Sequence, residues 1–420
     1  MGARAVVLTG SLGLGHDVVS QVLAETLQDL DYQVELLDCM ALLGPLGSRA
    51  GNSVFRRLLA HPTLYDGLHF AHLRPGSPLA EALDRAATRR LVPALAERLA
   101  PTPPALAVAC FATGASALAQ LARGPWATLA ARPQTVSLCT DVSPHRLWVR
   151  PGLDLYLVTS PAAAQAVRRY LPRAPVALVP PPVRPGFLCP PTRAEAREVL
   201  GLDRTRPTVL LMGGGWGLGP LASVAAALGQ AGIQVLALAG RNQKAARALA
   251  QVARRVPGVS ALGFSDQVPL LMAAADLVVT TPGATTCSEA RAVGRPLLLL
   301  DVVPGHGRDN IQHELSLGSA GVVDPEPARL VAAVLAALQS PPPPAGSPPR
   351  RAPGDFQQAL RAALASRCPA PGPADHQTGP RASGGHGPQH PVGLAGPGQL
   401  EEAREQREPR PDQGAIQRED

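Results

Sequence analysis

Lysine is almost missing from this 420-residue chain: of 39 basic residues, only Lys244 is a lysine. That excludes Schiff-base chemistry anywhere but at Lys244. The chain has no Gly-Lys pair, which excludes a phosphate-binding loop of the G-x-x-x-x-G-K-[ST] type. Aromatic residues make up 3%, too few for a surface that stacks nucleic-acid bases, so no nucleic-acid partner is expected. The six cysteines (Cys39, Cys110, Cys139, Cys189, Cys287 and Cys368) form no C-x-x-C pair and have no histidine at zinc spacing. Most of them sit in apolar surroundings and read as small buried hydrophobes in a reducing compartment, and no metal site is expected. No run of about 18 apolar residues is free of charge, so no membrane span is expected. The short N-terminal apolar run lacks an A-x-A pattern, and a signal peptide is not expected either.

What is present is a core. Hydrophobic residues reach 45%, charged residues only 17%, and mean hydropathy is +0.06. The length allows two or three domains. Residues 341–420 hold 16 of the 46 prolines and balance nine arginines against nine acids, so the net charge of +7 sits in residues 1–340. The composition of 341–420 predicts a disordered Pro/Gly-rich tail with at most one short helix near 356–366.

Short apolar runs alternate with helical patterns along the rest. The first half has strand-like runs at 3–8, 34–37, 105–110, 135–139, 155–158 and 176–179, with a helix over 17–30. After the break Pro180-Pro181-Pro182-Val183-Arg184-Pro185, strands are predicted at 208–212, 234–238, 260–262, 276–280 and 296–300. Helices are predicted between them at 221–230, 243–256, 268–274 and about 285–293, with a closing one at 326–338. Continuous apolar strands between helices predict parallel sheets covered on both faces. The expected fold is α/β, with two doubly wound Rossmann-like domains, 1–182 and 183–340, facing a cleft. Ligands in such sheets bind beyond the carboxyl ends of the strands.

Two glycine clusters follow first strands, Gly10 to Gly15 and Gly213 to Gly219. Glycines permit sharp turns and let backbone N–H groups approach a ligand. Asp38, at the end of the second strand, stands where a dinucleotide fingerprint has its ribose acid, but the third glycine of that fingerprint is missing. The other reading is a tight turn for helix–sheet packing. His16 follows the last glycine at a helix start, where the dipole favours the neutral imidazole a general base needs; a packing histidine is the alternative. At Thr281-Pro282-Gly283-Ala284-Thr285-Thr286 a strand ends and a helix opens with unpaired N–H groups, an anion site. Glu289, one turn in, is placed to accept two hydroxyls or simply to offset the dipole.

The order of motifs resembles glycosyltransferase family 28, above all its monogalactosyldiacylglycerol synthase and processive diacylglycerol glucosyltransferase branch. The resemblance rests on Gly13-x-Gly15-His16, Cys139-Thr140-Asp141…His145…Trp148, Pro182-Val183-Arg184-Pro185-x-Phe187 and Leu211-Met212-Gly213-Gly214-Gly215. It continues through Ala239-Gly240-Arg241-Asn242, Leu262-Gly263-Phe264, Leu271 to Asp276, Pro282-Gly283-x-Thr285-Thr286-x-Ser288-Glu289-Ala290 and Pro304-Gly305-x-x-x-x-Asn310. It implies the GT-B fold, with an N-terminal acceptor domain, a C-terminal UDP-sugar domain and an inverting, metal-independent transfer. By resemblance, Glu289 holds the ribose hydroxyls, backbone at Phe264 reads uracil, and Asn310 contacts the donor sugar. Gly213, Gly214, Gly215, Gly283, Thr285 and Thr286 surround the diphosphate, with Arg241 and Asn242 on the donor side. His16 and Asp141 are the implied catalytic residues, with Gly15 and His145 on the acceptor side. UDP-sugar is the implied co-substrate, with no cofactor.

Three departures stand out. Thr281 occupies the family's lysine position, His306-Gly307 replaces its Gln-Glu pair, and the first loop lacks adjacent glycines. Asp29-x-Asp31 fits a metal motif formally but reads as a solvated turn. Residues 47–76 interleave arginines with apolar residues and resemble the lipid-approaching part of the family. Phe55, Arg56 and Arg57 there are expected to meet an anionic membrane, or else to form a packed helix with a solvated basic face. The expected activity is hexose transfer to a lipid acceptor such as diacylglycerol, by a cytoplasmic protein peripheral to the membrane. A soluble small-molecule acceptor and a catalytically impaired nucleotide-sugar binder are the alternatives.

Overall fold

The computed structural model describes residues 2–11, 14–44, 69–73, 76–318, 320–339 and 355–366. The chain builds two parallel six-stranded sheets in sequence. The first holds β1 (Arg4–Thr9), β2 (Gln33–Asp38), β3 (Leu106–Ala109), β4 (Gln134–Leu138), β5 (Leu155–Val158) and β6 (Val176–Leu178). Its helices are α1 (Leu14–Gln28), α2 (Cys39–Leu42), α3 (Pro78–Leu99), α4 (Ala112–Arg123) and α5 (Pro161–Tyr170). Two short helices, α6 (Pro185–Leu188) and α7 (Arg193–Val199), lead to the second sheet.

That sheet holds β7 (Thr208–Met212), β8 (Gln234–Leu238), β9 (Val259–Leu262), β10 (Leu277–Thr280), β11 (Leu297–Leu300) and β12 (Ala320–Val323). Its helices are α8 (Leu221–Gln230), α9 (Gln243–Arg255), α10 (Val268–Ala274), α11 (Ala284–Val293), α12 (His306–Ser316) and α13 (Pro327–Gln339), followed by α14 (Asp355–Ala365). The two doubly wound α/β halves of the expected fold are therefore present, and both lie within one unit of residues 1–370.

Burial explains why these runs are strands. β3, β5, β7, β8, β10 and β11 are buried at every position, because helices cover both faces. The edge strand β2 is only partly buried along its length. Strand order decides where a ligand can bind. The first sheet runs β2-β1-β3-β4-β5-β6 and the second β12-β11-β10-β7-β8-β9. The winding reverses between β1 and β3 and between β7 and β10, and crevices open beyond the carboxyl ends of such strand pairs. The loops there are Gly10-Ser11, Cys110-Phe111, Gly213-Gly214-Gly215 and Thr281-Pro282-Gly283.

Part of the segment expected to be tail is built into the core. Leu360, Ala363 and Leu364 of α14 are buried with Ala5, Val7, Leu106, Leu155 and Leu157 of the first sheet. Gln134 Nε2 also donates to the Leu364 carbonyl at 3.5 Å. The spacing of Phe356, Leu360, Ala363 and Leu364 gives one apolar stripe, which is why this short helix leaves solvent. Among the described cysteines, Cys39, Cys110, Cys139 and Cys287 are buried and Cys189 is exposed, all as free thiols. Burial pushes the Cys110 and Cys139 thiols up to about 12, as expected of inert packing residues. Among the described residues, no helix is long and apolar enough to cross a membrane.

Candidate active site

A cleft of about 750 Å³ opens between the halves, lined from one side by the starts of α1 and α4 and from the other by those of α11 and α12. Helix starts carry unpaired N–H groups and the positive end of the dipole, so their convergence suits an anion. No side chain caps α11, whose N-cap is Gly283, and the residues of its first turn, Ala284, Thr285 and Thr286, line the cleft.

The glycine turn after β7 shapes one part of the cleft floor. Gly214 has φ 64° and Gly240 has φ 58°. A Cβ on Gly240 would sit 2.6 Å from the Gly214 carbonyl oxygen and 2.7 Å from that of Gly215. Gly215 meets the opposite half: a Cβ there would lie 2.2 Å from Leu14 Cδ1. Gly15 faces Thr285, whose Oγ1 would be 3.4 Å from an added Cβ. The glycines thus allow two backbones to close on one space.

His16 sits in the first turn of α1. Its Nδ1 lies 3.0 Å from the Cys110 carbonyl oxygen and 3.0 Å from Thr140 Oγ1. A carbonyl only accepts, so Nδ1 carries a proton, and in the neutral tautomer this selects Nε2 is the nitrogen with the lone pair. Phe111 packs edge-on against the ring at 5.3 Å. Asp141 lines the cleft but does not orient His16. Its Oδ2 accepts from Trp148 Nε1 at 2.8 Å and stands 3.8 Å from His145 Nε2. The Leu147 N–H donates to His145 Nδ1 at 3.3 Å, which puts the histidine's proton on Nε2, toward Asp141. Burial pushes the His145 pKa down to about 4 against the pull of Asp141, so the ring is neutral at pH 7.

Glu289 is 3% exposed and paired. Arg184 donates to its Oε1 through Nε at 2.9 Å, with a second guanidinium nitrogen at 2.8 Å. Burial pushes the Glu289 pKa up to about 7, with Arg184 pulling it down. At the mouth, Phe264 is 51% exposed and Arg241 stacks on it at 4.8 Å. Asn310 lines the cleft and donates from Nδ2 to the Pro282 carbonyl at 2.7 Å.

Gly15, His16, Asp141, His145, Gly213, Gly214, Gly215, Arg241, Phe264, Gly283, Thr285, Thr286, Glu289 and Asn310 therefore share one cleft. Asn242 stands apart. Its Oδ1 caps α9 by accepting from Lys244 N and Ala245 N at 3.1 Å, and its Nδ2 donates to the Gly217 carbonyl at 3.2 Å, so it pins the glycine turn. Phe55, Arg56 and Arg57 lie outside the described residues. Asp38 caps α2 and accepts from Ser11 Oγ at 2.8 Å, away from the cleft lining. Asp31 lies in the exposed turn after α1 with φ 65°, as the solvated-turn reading has it.

Sequence reasoning gave no role to Arg184, Asp17 or His69 in the lining. Arg184 was visible only as part of a motif, and Asp17 directly follows His16. Asp17 accepts from Thr9 Oγ1 at 2.8 Å, and burial raises its pKa. His69 and His306 meet the cleft from opposite halves. Among the described residues, no group of three or more metal-binding side chains converges.

Residues 16–183 match the monogalactosyldiacylglycerol (MGDG) synthase family and residues 208–323 the glycosyltransferase family 28 C-terminal domain. A probable monogalactosyldiacylglycerol synthase, chloroplastic, of Glycine max is 33% identical over 193 residues, covering 44% of this chain and 36% of the relative. Monogalactosyldiacylglycerol synthase 3, chloroplastic, of Arabidopsis thaliana is 33% identical over 216 residues, covering 48% and 46%. The match thus spans less than half the length of these curated relatives. Among solved structures, Acinetobacter baumannii MurG superposes with a TM-score of 0.53 at 15% identity, covering 87% of this chain and 100% of that one. Phytolacca americana UGT2, complexed with UDP-2fluoro-glucose and pterostilbene, gives 0.54 at 14% identity, covering 87% and 95%. At such identities the likeness carries the fold alone, and that fold is GT-B. Adjoining matches thus give the chain an MGDG synthase family domain over residues 16–183 and a glycosyltransferase family 28 C-terminal domain over residues 208–323, one for each sheet.

Proposed function

We propose that the chain transfers a hexose from a UDP-sugar to a lipid acceptor such as diacylglycerol, with inversion and without a metal. The observation that carries this reading is the orientation of His16. Its Nδ1–H is held by the Cys110 carbonyl, and its bare Nε2 belongs to a ring lining a cleft whose far wall is the open start of α11.

In this reading, residues 1–182 serve the acceptor and 183–340 the donor. The acceptor hydroxyl attacks the anomeric carbon from the face opposite UDP while its proton passes to His16 Nε2. The bond from the anomeric carbon to the diphosphate oxygen breaks. The charge that develops on UDP is met by the N–H groups of the first turn of α11 and by the Gly213–Gly215 turn. Arg184 and Arg241 supply full positive charges at the same wall, which compensates for Thr281 in the lysine position. Glu289 exchanges Arg184 for the ribose hydroxyls, and Asn310 and His306 face the sugar. The apolar acceptor side, with Leu14, Val18, Phe111 and Leu147 in the lining, suits a lipid. The names of the plant relatives support a diacylglycerol acceptor, and the arginines at 56 and 57 support a peripheral membrane contact.

The test is incubation with a panel of UDP-sugars and a total lipid extract, with products read by mass spectrometry. A new glycolipid and released UDP are expected. Transfer only to soluble alcohols would replace the lipid reading with the small-molecule one. UDP binding with no transfer to any acceptor would leave a nucleotide-sugar binder.

A further inference from the structure

His69 Nε2 donates to Asp309 Oδ2 at 3.1 Å, joining side chains that lie 240 residues apart in sequence. The two are 4% and 13% exposed, so the contact is shielded from water. His69 belongs to the single turn His69–Leu73, near the end of the stretch 47–76 that resembles the family's lipid-approaching part. Asp309 belongs to the first turn of α12 on the donor half.

That turn is gripped from two directions. Asn310, next to Asp309, donates to the Pro282 carbonyl at 2.7 Å. Gly307 packs so closely that a Cβ there would lie 2.7 Å from Val303 and 3.4 Å from Pro282. Both grips come from the donor half, whereas His69 supplies one from the acceptor half. His306 and Asn310 are four residues apart on this helix and share the face that lines the cleft.

We propose that His69 and Asp309 are positioning residues: a strut across the cleft that sets the His306–Asn310 wall for the donor sugar. Through it, the acceptor-side segment and the sugar pocket influence each other's affinity. Neither residue needs to touch the reacting atoms. The effect follows because a displacement of about 1 Å in a wall that orients a substrate is costly, and because coupling between two binding sites is reciprocal. The inference rests on the reading of this wall as the sugar side of a UDP-sugar site.

The strut predicts a distinction between UDP, which ends before the wall, and an intact UDP-sugar, which reaches it. Both are titrated by calorimetry into the full chain and into His69→Phe, Asp309→Ala and the double variant, with KM and kcat measured on detergent-dispersed lipid. The single variants remove the contact from opposite sides, so a folding failure of one leaves the other as the test. Each is expected to weaken UDP-sugar binding about tenfold. UDP binding stays unchanged, donor KM rises more than kcat falls, and the double variant is no worse than either single. His69→Gln, which keeps an N–H donor, is expected to recover part of the loss. Unchanged UDP-sugar affinity, equal losses for UDP and UDP-sugar, or additive losses in the double variant would each overturn the strut. A wild-type protein that binds neither ligand would overturn the donor reading itself, and the strut with it.

Discussion

The imidazole Nδ1 of His16 lies 3.0 Å from the main-chain oxygen of Cys110, so a backbone carbonyl sets the histidine's tautomer. Thr140 Oγ1 reaches the same nitrogen at 3.0 Å. Asp141, which also stands at the cleft, is engaged with Trp148 instead. The orientation of the His16 ring therefore depends on main-chain geometry, and the carboxylate beside it holds an indole instead.

His16→Ala is expected to lower kcat by roughly 10²–10⁴, the usual contribution of a positioned general base. UDP affinity, measured by calorimetry, stays at the wild-type value because the nucleotide wall is intact. Asp141→Asn is expected to cost less than His16→Ala, since it leaves the His16 tautomer in place. Near-wild-type turnover in His16→Ala would remove the histidine from the mechanism.

Binding of UDP is expected to weaken as pH falls through about 7, because the buried Glu289 carboxyl takes up its proton there. Only the ionised form accepts two ribose hydroxyls. Glu289→Gln is expected to bind UDP about 10- to 100-fold more weakly at pH 8, the range for lost hydrogen bonds to a charged group. Its affinity should also vary less between pH 6 and 8. Calorimetric titration across that range checks both statements.

Stability should respond to His145 in acid. Its folded pKa, about 4, lies below the ordinary histidine value of about 6.5. Between those values the unfolded chain binds a proton that the folded chain does not, so this group's contribution is present above pH 6.5 and lost toward pH 4. The loss is on the order of 3 kcal/mol at most. His145→Asn keeps an acceptor for the Leu147 N–H and removes the titration. Urea unfolding at pH 7 and pH 4.5 is expected to show a smaller difference in the variant than in wild type.

Gly240→Ala places a methyl group against the Gly214 and Gly215 carbonyls in a backbone of positive φ. It is expected to destabilise the fold by more than about 1 kcal/mol and to abolish UDP binding by opening the glycine turn. Thermal unfolding and UDP titration of the same sample separate the two effects.

Leu360 is fully buried although it follows the proline-rich stretch at 341–349. Leu360→Ala is expected to cost about 2–5 kcal/mol, the range for a truncated core leucine. A cost within about 0.5 kcal/mol, the scale of a surface substitution, would mean that α14 does not dock on the first sheet.

The strands were legible because parallel strands covered on both faces must be apolar at every position, as β7, β8 and β10 are. α3 was not legible. Its buried face includes Asp84 and Thr88, which interrupt the apolar spacing. Asp84 is tolerated there because Arg150, from beyond β4, reaches it at 2.8 Å. α4 hides for a different reason: alanines fill most of its buried side, so it has little contrast in size or hydropathy. β12 is a partly buried edge strand with a glycine, and its apolar run is too short to stand out.

By itself, the sequence determined the alternation of strands and helices, the two glycine turns and the order of the family motifs. These depend on local spacing and on backbone freedom at single residues. Only the tertiary structure decided which groups meet. His16 finds Cys110 and Thr140 across 94 and 124 residues, and Arg184 finds Glu289 across 105. Such pairings follow from strand order, which brings loops distant in sequence to the same end of a sheet. They follow also from the meeting of two sheets across a cleft, which no local pattern encodes.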